Sequence, residues 1–574
     1  MRGTIPISVE QSRRVFTRWD ILAVLLVLGF LVFVGEASRH LLQPLTELQA
    51  TPLSLSPARL PEYAARTTLR MLVALVLSLV FTFTYATLAA KNKRAELLLV
   101  PLLDILQSVP ILGFISVTVV FFMALAPGRV LGAEFAAVFA IFTSQAWNMA
   151  FSFYQSLRTV PEELLEASRV FRLSRWMQFW RVEVPFAMPQ LIWNMMVSMS
   201  GSWFFVVASE AISVGNTTVT LPGIGSYIAQ AIALRDLSAV FWAIVAMLVV
   251  ILLYDQLLFR PLVAWADRFR FEQQAGVVPP QSWVLDMLRR SGIVAAAVTP
   301  LGRLWRRSFQ LSQFEPTQRA SLKQFGGRWG YRIWAACVAA FVAYVAWRVV
   351  TFISGNISLA EFGDALLLGL ATLTRVVVLI ALATIIWLPL GIIIGMRPRL
   401  AQRVQPIAQF LAAFPANVLF PVAVSAIVAL KLDPNVWLSP LMILGTQWYI
   451  LFNVVAGAAS IPSEMRDVST NLQVRGWLWW RRVAIPAVFP YYVTGAITAS
   501  GGSWNASIVA EVANWGSTKL KAYGLGAYIA QATDAGDFPR IVLGVAVMSL
   551  YVVVINRIFW RPLYRYAERK FRLE

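Results

Sequence analysis

The sequence predicts an all-α polytopic membrane protein of about twelve transmembrane helices, arranged as two parallel six-helix repeats. Three observations predict it. Of 574 residues, 58% are hydrophobic and only 14% charged, with a mean hydropathy of +0.67, which is more apolar than a soluble domain. Apolar runs of roughly 20 residues, the length that crosses a ~30 Å hydrocarbon core, recur along the whole chain. The second half also repeats the first in register.

Taken in order, Arg2, Arg13, Arg14 and Arg18 precede the first run, Ile21 to Val34, and no small-residue cleavage site follows it. This reads as an uncleaved span with a cytoplasmic N-terminus. Further runs cover about 68–90, 99–125, 133–155, 187–211 and 237–258, with Lys91, Lys93 and Arg94 after the second and Arg260 after the sixth. The second half has runs at about 331–352, 363–394, 402–430, 435–456, 486–511 and 538–559, and closes on Arg561, Arg565, Arg569, Lys570 and Arg572. The basic clusters fall on one side, which the positive-inside rule makes cytoplasmic, so both termini are expected there. This placement accounts for the net charge of +20 without nucleic acid. Spans of this length must be helical, because only a helix satisfies its own backbone within the segment.

The expected division is 1–270 for the first repeat, 271–330 for a basic linker and 331–574 for the second repeat. The linker carries Arg289, Arg290, Arg303, Arg306 and Arg307. Over 281–308 it reads either as an amphipathic helix anchored by Trp283, Leu285, Leu288 and Trp305, or as a disordered tether. Segment 36–66 has no counterpart in the second half. With Cys337 and His40 the only residues of their kinds, neither a disulfide framework nor a Cys/His metal site is available.

The duplication is gap-free from Val160 onward at an offset of 301 residues. It pairs Pro161 with Pro462, Trp176 with Trp477, Pro185 with Pro486, Gly201-Ser202-Trp203 with Gly502-Ser503-Trp504, Glu210 with Glu511, and Arg260-Pro261-Leu262 with Arg561-Pro562-Leu563. Upstream the offset is 305 and pairs Arg70 with Arg375, Pro101 with Pro406 and Pro110 with Pro415. An even number of spans per repeat gives both repeats one orientation, related by a pseudo-twofold axis along the membrane normal.

Between the fourth and fifth spans, residues 160–182 read as a helix opened by Pro161 with acids in its first turn. A second short helix follows, which Val184-Pro185 and Met188-Pro189 then break. Residues 461–483 are the counterpart. The run Pro161-Glu162-Glu163, then Glu166-Ala167-Ser168, Ser174-Arg175-Trp176 and Val184-Pro185 resembles the coupling loop of binding-protein-dependent ABC permeases. Asp467-Val468-Ser469 matches more loosely. The third-span prolines Pro110 and Pro415, the acids Glu210 and Glu511, and the Gly-x-Gly-x-Tyr after each resemble the nitrate, sulfonate and bicarbonate (taurine-type) branch, in its fused two-copy form.

The resemblance implies a permease subunit whose docking segments each receive one of two copies of an ATPase. Glu163, Glu166, Ala167, Ser168 and Arg172 are the candidate contacts in the first segment, and Glu464, Asp467, Ser469 and Gln473 in the second. Arg172 and Gln473 stand where the family has a glycine. No G-x-x-x-x-G-K-[ST] loop occurs in the chain, so the protein is not expected to be an enzyme and has no cofactor of its own; ATP and Mg belong to the partner. A solute-binding protein and membrane lipids are the other implied partners, and the bacterial inner membrane the implied location. An ion-gradient-driven transporter with parallel halves is the alternative, but it requires no docking segments.

Candidates for the substrate pathway are Arg70, Arg375, Pro110, Pro415, Ser202, Trp203, Glu210, Ser503, Trp504, Asn505 and Glu511. An ionisable group inside the bilayer is costly enough to mark a site. Against this, helix-end acids satisfied by backbone, snorkelling arginines and small residues that only pack helices explain the same residues. Gly223-Ile224-Gly225 is expected to let a short outer helix turn back on the bundle.

Overall fold

The computed structural model describes residues 19–22, 24–25, 28–29, 35, 44, 53–108, 111–214, 217–269, 281–311 and 328–571. Most of the first expected span, 21–34, lies outside them, as does Pro110. Among the described residues, eight helices are long and apolar enough to cross a membrane, or nine if the bent pair Pro434–Ile443 and Trp448–Ala459 is one span broken by 43°. Twelve were expected.

Part of the difference has a local cause. The apolar run at 402–430 forms two shorter helices, Pro398–Ala413 and Ala416–Ala429, between which Phe414 and Pro415 are extended (ψ 126° and 112°). A proline excludes its predecessor from the helical region and has no N–H to donate, so the helix must stop there.

Elsewhere proline does not end the helix. Arg175 to Glu210 is one continuous helix through Pro185 and Pro189, against the expected break. The relief comes from a π-helical turn, Phe179–Glu183, just before Val184-Pro185. The same turn recurs at Asp255–Phe259 before Arg260-Pro261, at Trp480–Ala484 before Ile485-Pro486, and at Asn556–Trp560 before Arg561-Pro562. Proline leaves the carbonyl four residues back without a donor and crowds it. A turn closed by i→i+5 bonds widens the helix there and lets it continue.

The fold is helical with one addition. Each fifth span ends in a two-stranded antiparallel hairpin: β1 (Ala211–Val214) with β2 (Thr217–Thr220), and β3 (Val512–Trp515) with β4 (Thr518–Lys521). A short helix follows each, Ile224–Leu234 and Leu525–Ala535. β-Branched and aromatic residues flank a two-residue turn led by Gly516 at φ 59°, the usual chemistry of a tight hairpin.

The chain forms two compact units. One comprises the described residues of Met1–Arg39 with Ser156–Trp193 and Leu253–Lys323. In it, linker helices Trp283–Arg290 and Gly292–Leu311 are capped by Ser282 and by buried Asp20, which accepts from Ser291 Oγ (2.8 Å) and the Ile293 N–H (3.1 Å). Trp176 Nε1 donates to Ser308 Oγ at 3.2 Å. The other unit comprises the described residues of His40–Gln155 with Asn194–Leu252 and Gln324–Glu574. It holds the largest apolar core, from Leu112 and Ala140 to Ala499, Trp504 and Met548.

Candidate functional site

Within the second unit lies a cavity of about 360 Å³. Its wall comes from residues 107–205 and 412–560, that is, from both repeats. Among the described residues the lining contains no Asp, Glu, Lys or Arg; its polar groups are neutral, among them Gln107, Asn148, Tyr449 and Asn505. Trp147 also lines it, held edge-on between Phe81 and Phe142 at 5.4 and 5.9 Å. Its buried Nε1–H has no hydrogen-bond partner among the described residues. An indole N–H can only donate, and this one is enclosed by protein rather than open to the cavity.

The candidate pathway residues separate into two groups. Pro415, Trp504 and Asn505 line the cavity. Asn505 Oδ1 accepts the Ile111 N–H, a backbone donor of the other repeat, at 2.7 Å. Ser202 and Ser503 stand one layer back, bonded to the cavity residues Ser144 (2.7 Å) and Thr446 (3.0 Å). Trp203, 2% exposed, packs in the core.

Arg70, Glu210, Arg375 and Glu511 lie outside the cavity lining and form two locks. Glu210 Oε1 accepts from Thr67 Oγ1 (2.7 Å) and Arg70 Nη1 (2.6 Å), and Oε2 from the Gly225 N–H (2.7 Å). Thr67 in turn accepts the Ile224 N–H at 3.1 Å. Arg70 also grips Glu134 with two bonds of 2.6 Å. In the second repeat, Glu511 accepts from Thr372 (2.8 Å), Arg375 (3.0 Å) and the Ala527 N–H (3.1 Å), while Thr372 accepts the Leu525 N–H at 2.9 Å. Asn435 takes the place of the second carboxylate, 3.4 Å from Arg375 Nη2.

Each carboxylate therefore sits at the N-terminus of the short helix, where the unpaired N–H groups and the helix dipole favour an anion. Gly223 and Gly524 are required by this approach, since a Cβ at either would overlap the Glu210 or Glu511 carboxylate. Thr67 and Thr372 escaped the sequence reading, although the 305-residue offset pairs them just as it pairs the arginines. Burial pushes the Tyr528 hydroxyl up from its ordinary value, helped by its hydrogen bond to Glu361.

The two segments at 160–182 and 461–483 form the helices Glu162–Val170 and Ser463–Asn471, each with proline as its N-cap residue. Glu163, Glu166, Ala167 and Arg172 are exposed and Ser168 is buried; Glu464, Asp467 and Gln473 are exposed and Ser469 is buried. Arg172 and Gln473 adopt left-handed φ of 50° and 53°. The N–H groups of Leu173 and Val474 bond back to the carbonyls of Ser168 and Ser469 at 3.0 and 2.9 Å, closing a Schellman-type helix end. The turn thus forms without glycine, at a cost of about 1–2 kcal/mol per residue. Large apolar side chains stay exposed beside it, Val170 and Phe171 in one copy and Val468 and Leu472 in the other.

The family model described as binding-protein-dependent transport system inner membrane component matches residues 78–260 and again 387–573, well over half the chain. The chain belongs to this family, in duplicate. It is a multi-pass inner membrane component and not a catalytic subunit. Among curated relatives it is 28% identical over 186 residues to the nitrate import permease protein NrtB of Leptolyngbya laminosa, covering 32% of this chain and 63% of that protein. It is 29% identical over 188 residues to the bicarbonate transport system permease protein CmpB of Synechococcus elongatus, covering 33% and 64%. The chain thus spans a little under two thirds of the length of each of these relatives.

Proposed function

We propose that this chain alone forms the translocation pathway of an ATP-driven importer in a bacterial inner membrane, with both termini cytoplasmic. Two copies of an ATPase dock on the paired segments and consume ATP and Mg, and a solute-binding protein delivers the substrate. The working division is a repeat at 1–270, a linker at 271–330 and a repeat at 331–574. The cargo is a small anion of the nitrate, sulfonate or bicarbonate class.

The observation that supports this reading is the cavity shared by both repeats, with a polar lining that is uncharged among the described residues. Tyr449→Phe keeps the ring and removes a hydroxyl from a residue of the cavity lining. A hydrogen bond to a charged group contributes ~1.5–3 kcal/mol, so the apparent affinity for transported anion should fall at least about tenfold. Uptake into proteoliposomes holding the partner ATPase measures it, and unchanged affinity would refute this role.

The docking reading rests on the exposed acids and apolar residues of the two segments, a mixture suited to a protein partner. Replacing Glu166 and Asp467 together by alanine should weaken docking of each ATPase copy by up to about fivefold, if each exposed contact contributes ~0.2–1 kcal/mol. Full recovery of the ATPase would count against these residues.

A further inference from the structure

The two hairpin–helix caps are built on each other crosswise. The Ile224–Leu234 helix of the first repeat packs on β3 of the second, and the Leu525–Ala535 helix of the second packs on β1 of the first. At this seam the Gly516 N–H donates to the Ile232 carbonyl at 3.0 Å, and Arg235 Nη2 donates to Ser517 Oγ at 2.8 Å. Ile232 joins the buried cluster that includes Trp515. Each cap is fastened to its own repeat far more strongly, by the buried Thr67–Arg70–Glu210 and Thr372–Arg375–Glu511 locks.

Arg235 is the unusual residue. It ends its helix at φ 56°, a left-handed conformation that side chains avoid, and at the matching position of the second repeat stands Gly536 at φ 69°. A non-glycine residue held there is strained. Its side chain crosses to the turn of the other repeat, and a Cβ on Gly516 would strike it. The cavity lining on the fifth spans ends at Phe205 and Ala506, about five residues or roughly 8 Å along the helix before the hairpins begin.

We propose that the crossed caps are the gate of the pathway at this end, that each moves as a rigid part of its own repeat, and that Arg235 is the latch across the seam. Resting on the importer reading, the proposal makes the gate part where its bonds are few and exposed, leaving the buried locks intact. The latch belongs to one repeat, since Gly536 has no side chain with which to reach back. Arg235 touches no substrate; it is a positioning residue.

The test uses the full chain in sealed membrane vesicles of either orientation. Cys337→Ser removes the single native thiol and Ser500→Cys places one in the cavity lining. A membrane-impermeant thiol reagent reports access to the cavity. Arg235→Gly, which gives the backbone the residue already tolerated at position 536, should raise the labelling rate from the hairpin side about two- to fivefold, the population shift expected from losing one exposed hydrogen bond. Arg235→Lys should restore part of the closure. An unchanged rate for Arg235→Gly overturns the latch.

Bridging Arg235→Cys to Ser517→Cys with a bifunctional methanethiosulfonate should abolish this access and return it on reduction. Access that persists in the bridged protein overturns the gate. Because labelling needs neither ATPase nor substrate, increased access together with no uptake of any anion would leave the gate standing and remove the importer reading.

Discussion

Arg70 lies between two carboxylates and Arg375 beside one, because position 435 is Asn where the other repeat has Glu134. Removing a buried partner strands the charges it held, at a cost of ~3–5 kcal/mol. Arg70→Met should therefore lower the thermal midpoint of the detergent-solubilised protein more than Arg375→Met, because it strands two carboxylates, Glu134 and Glu210, where Arg375→Met strands only Glu511. Differential scanning fluorimetry decides, and equal losses would contradict the asymmetry. The sequence exposed all four charged residues and their register but not their pairing, since the partners stand 140 and 136 residues apart. Only the fold brings them together, and their mutual satisfaction accounts for their place outside the cavity lining.

At the scale of elements, proline had more than one outcome. At Phe414-Pro415 it ended a helix, at Pro185, Pro261, Pro486 and Pro562 a preceding π turn absorbed it, and Pro189, Pro389 and Pro490 stand within a continuing α-helix. The sequence carries the prolines but not the choice. Pro486→Ala restores the N–H and should let Trp480–Ala484 relax to an α-turn, rotating Gly476–Trp479 by about 100° against the following span. Spin labels at exposed positions 477 and 494 should show the distance shift by a few Å; an unmoved distribution would rule out this account. The hairpins were legible in principle, because Gly516-Ser517 between strand-forming residues is a turn signal. A reading by span-length hydropathy passes over elements of four residues.

For the whole molecule, the duplication and the apolar runs made the helical two-repeat plan readable, and the family match at 78–260 and 387–573 agrees with it. The span count was less readable, since an apolar run measures length and not whether the helix within it is continuous. The chain lacks a phosphate-binding loop, so a phosphate-release assay on the purified protein should give no hydrolysis above background; activity that follows this chain through every purification step would overturn the division of labour proposed above.

The cavity takes its walls from two repeats of one polypeptide, and this changes how it assembles and how it varies. Two separate six-helix chains must meet by diffusion and part on dilution, whereas fused repeats meet at a high effective concentration whatever the expression level. A pathway made of identical chains receives every substitution twice. Here a change at Trp147 falls on one wall only, so each side of the cavity is free to acquire its own chemistry while the other keeps the cargo bound.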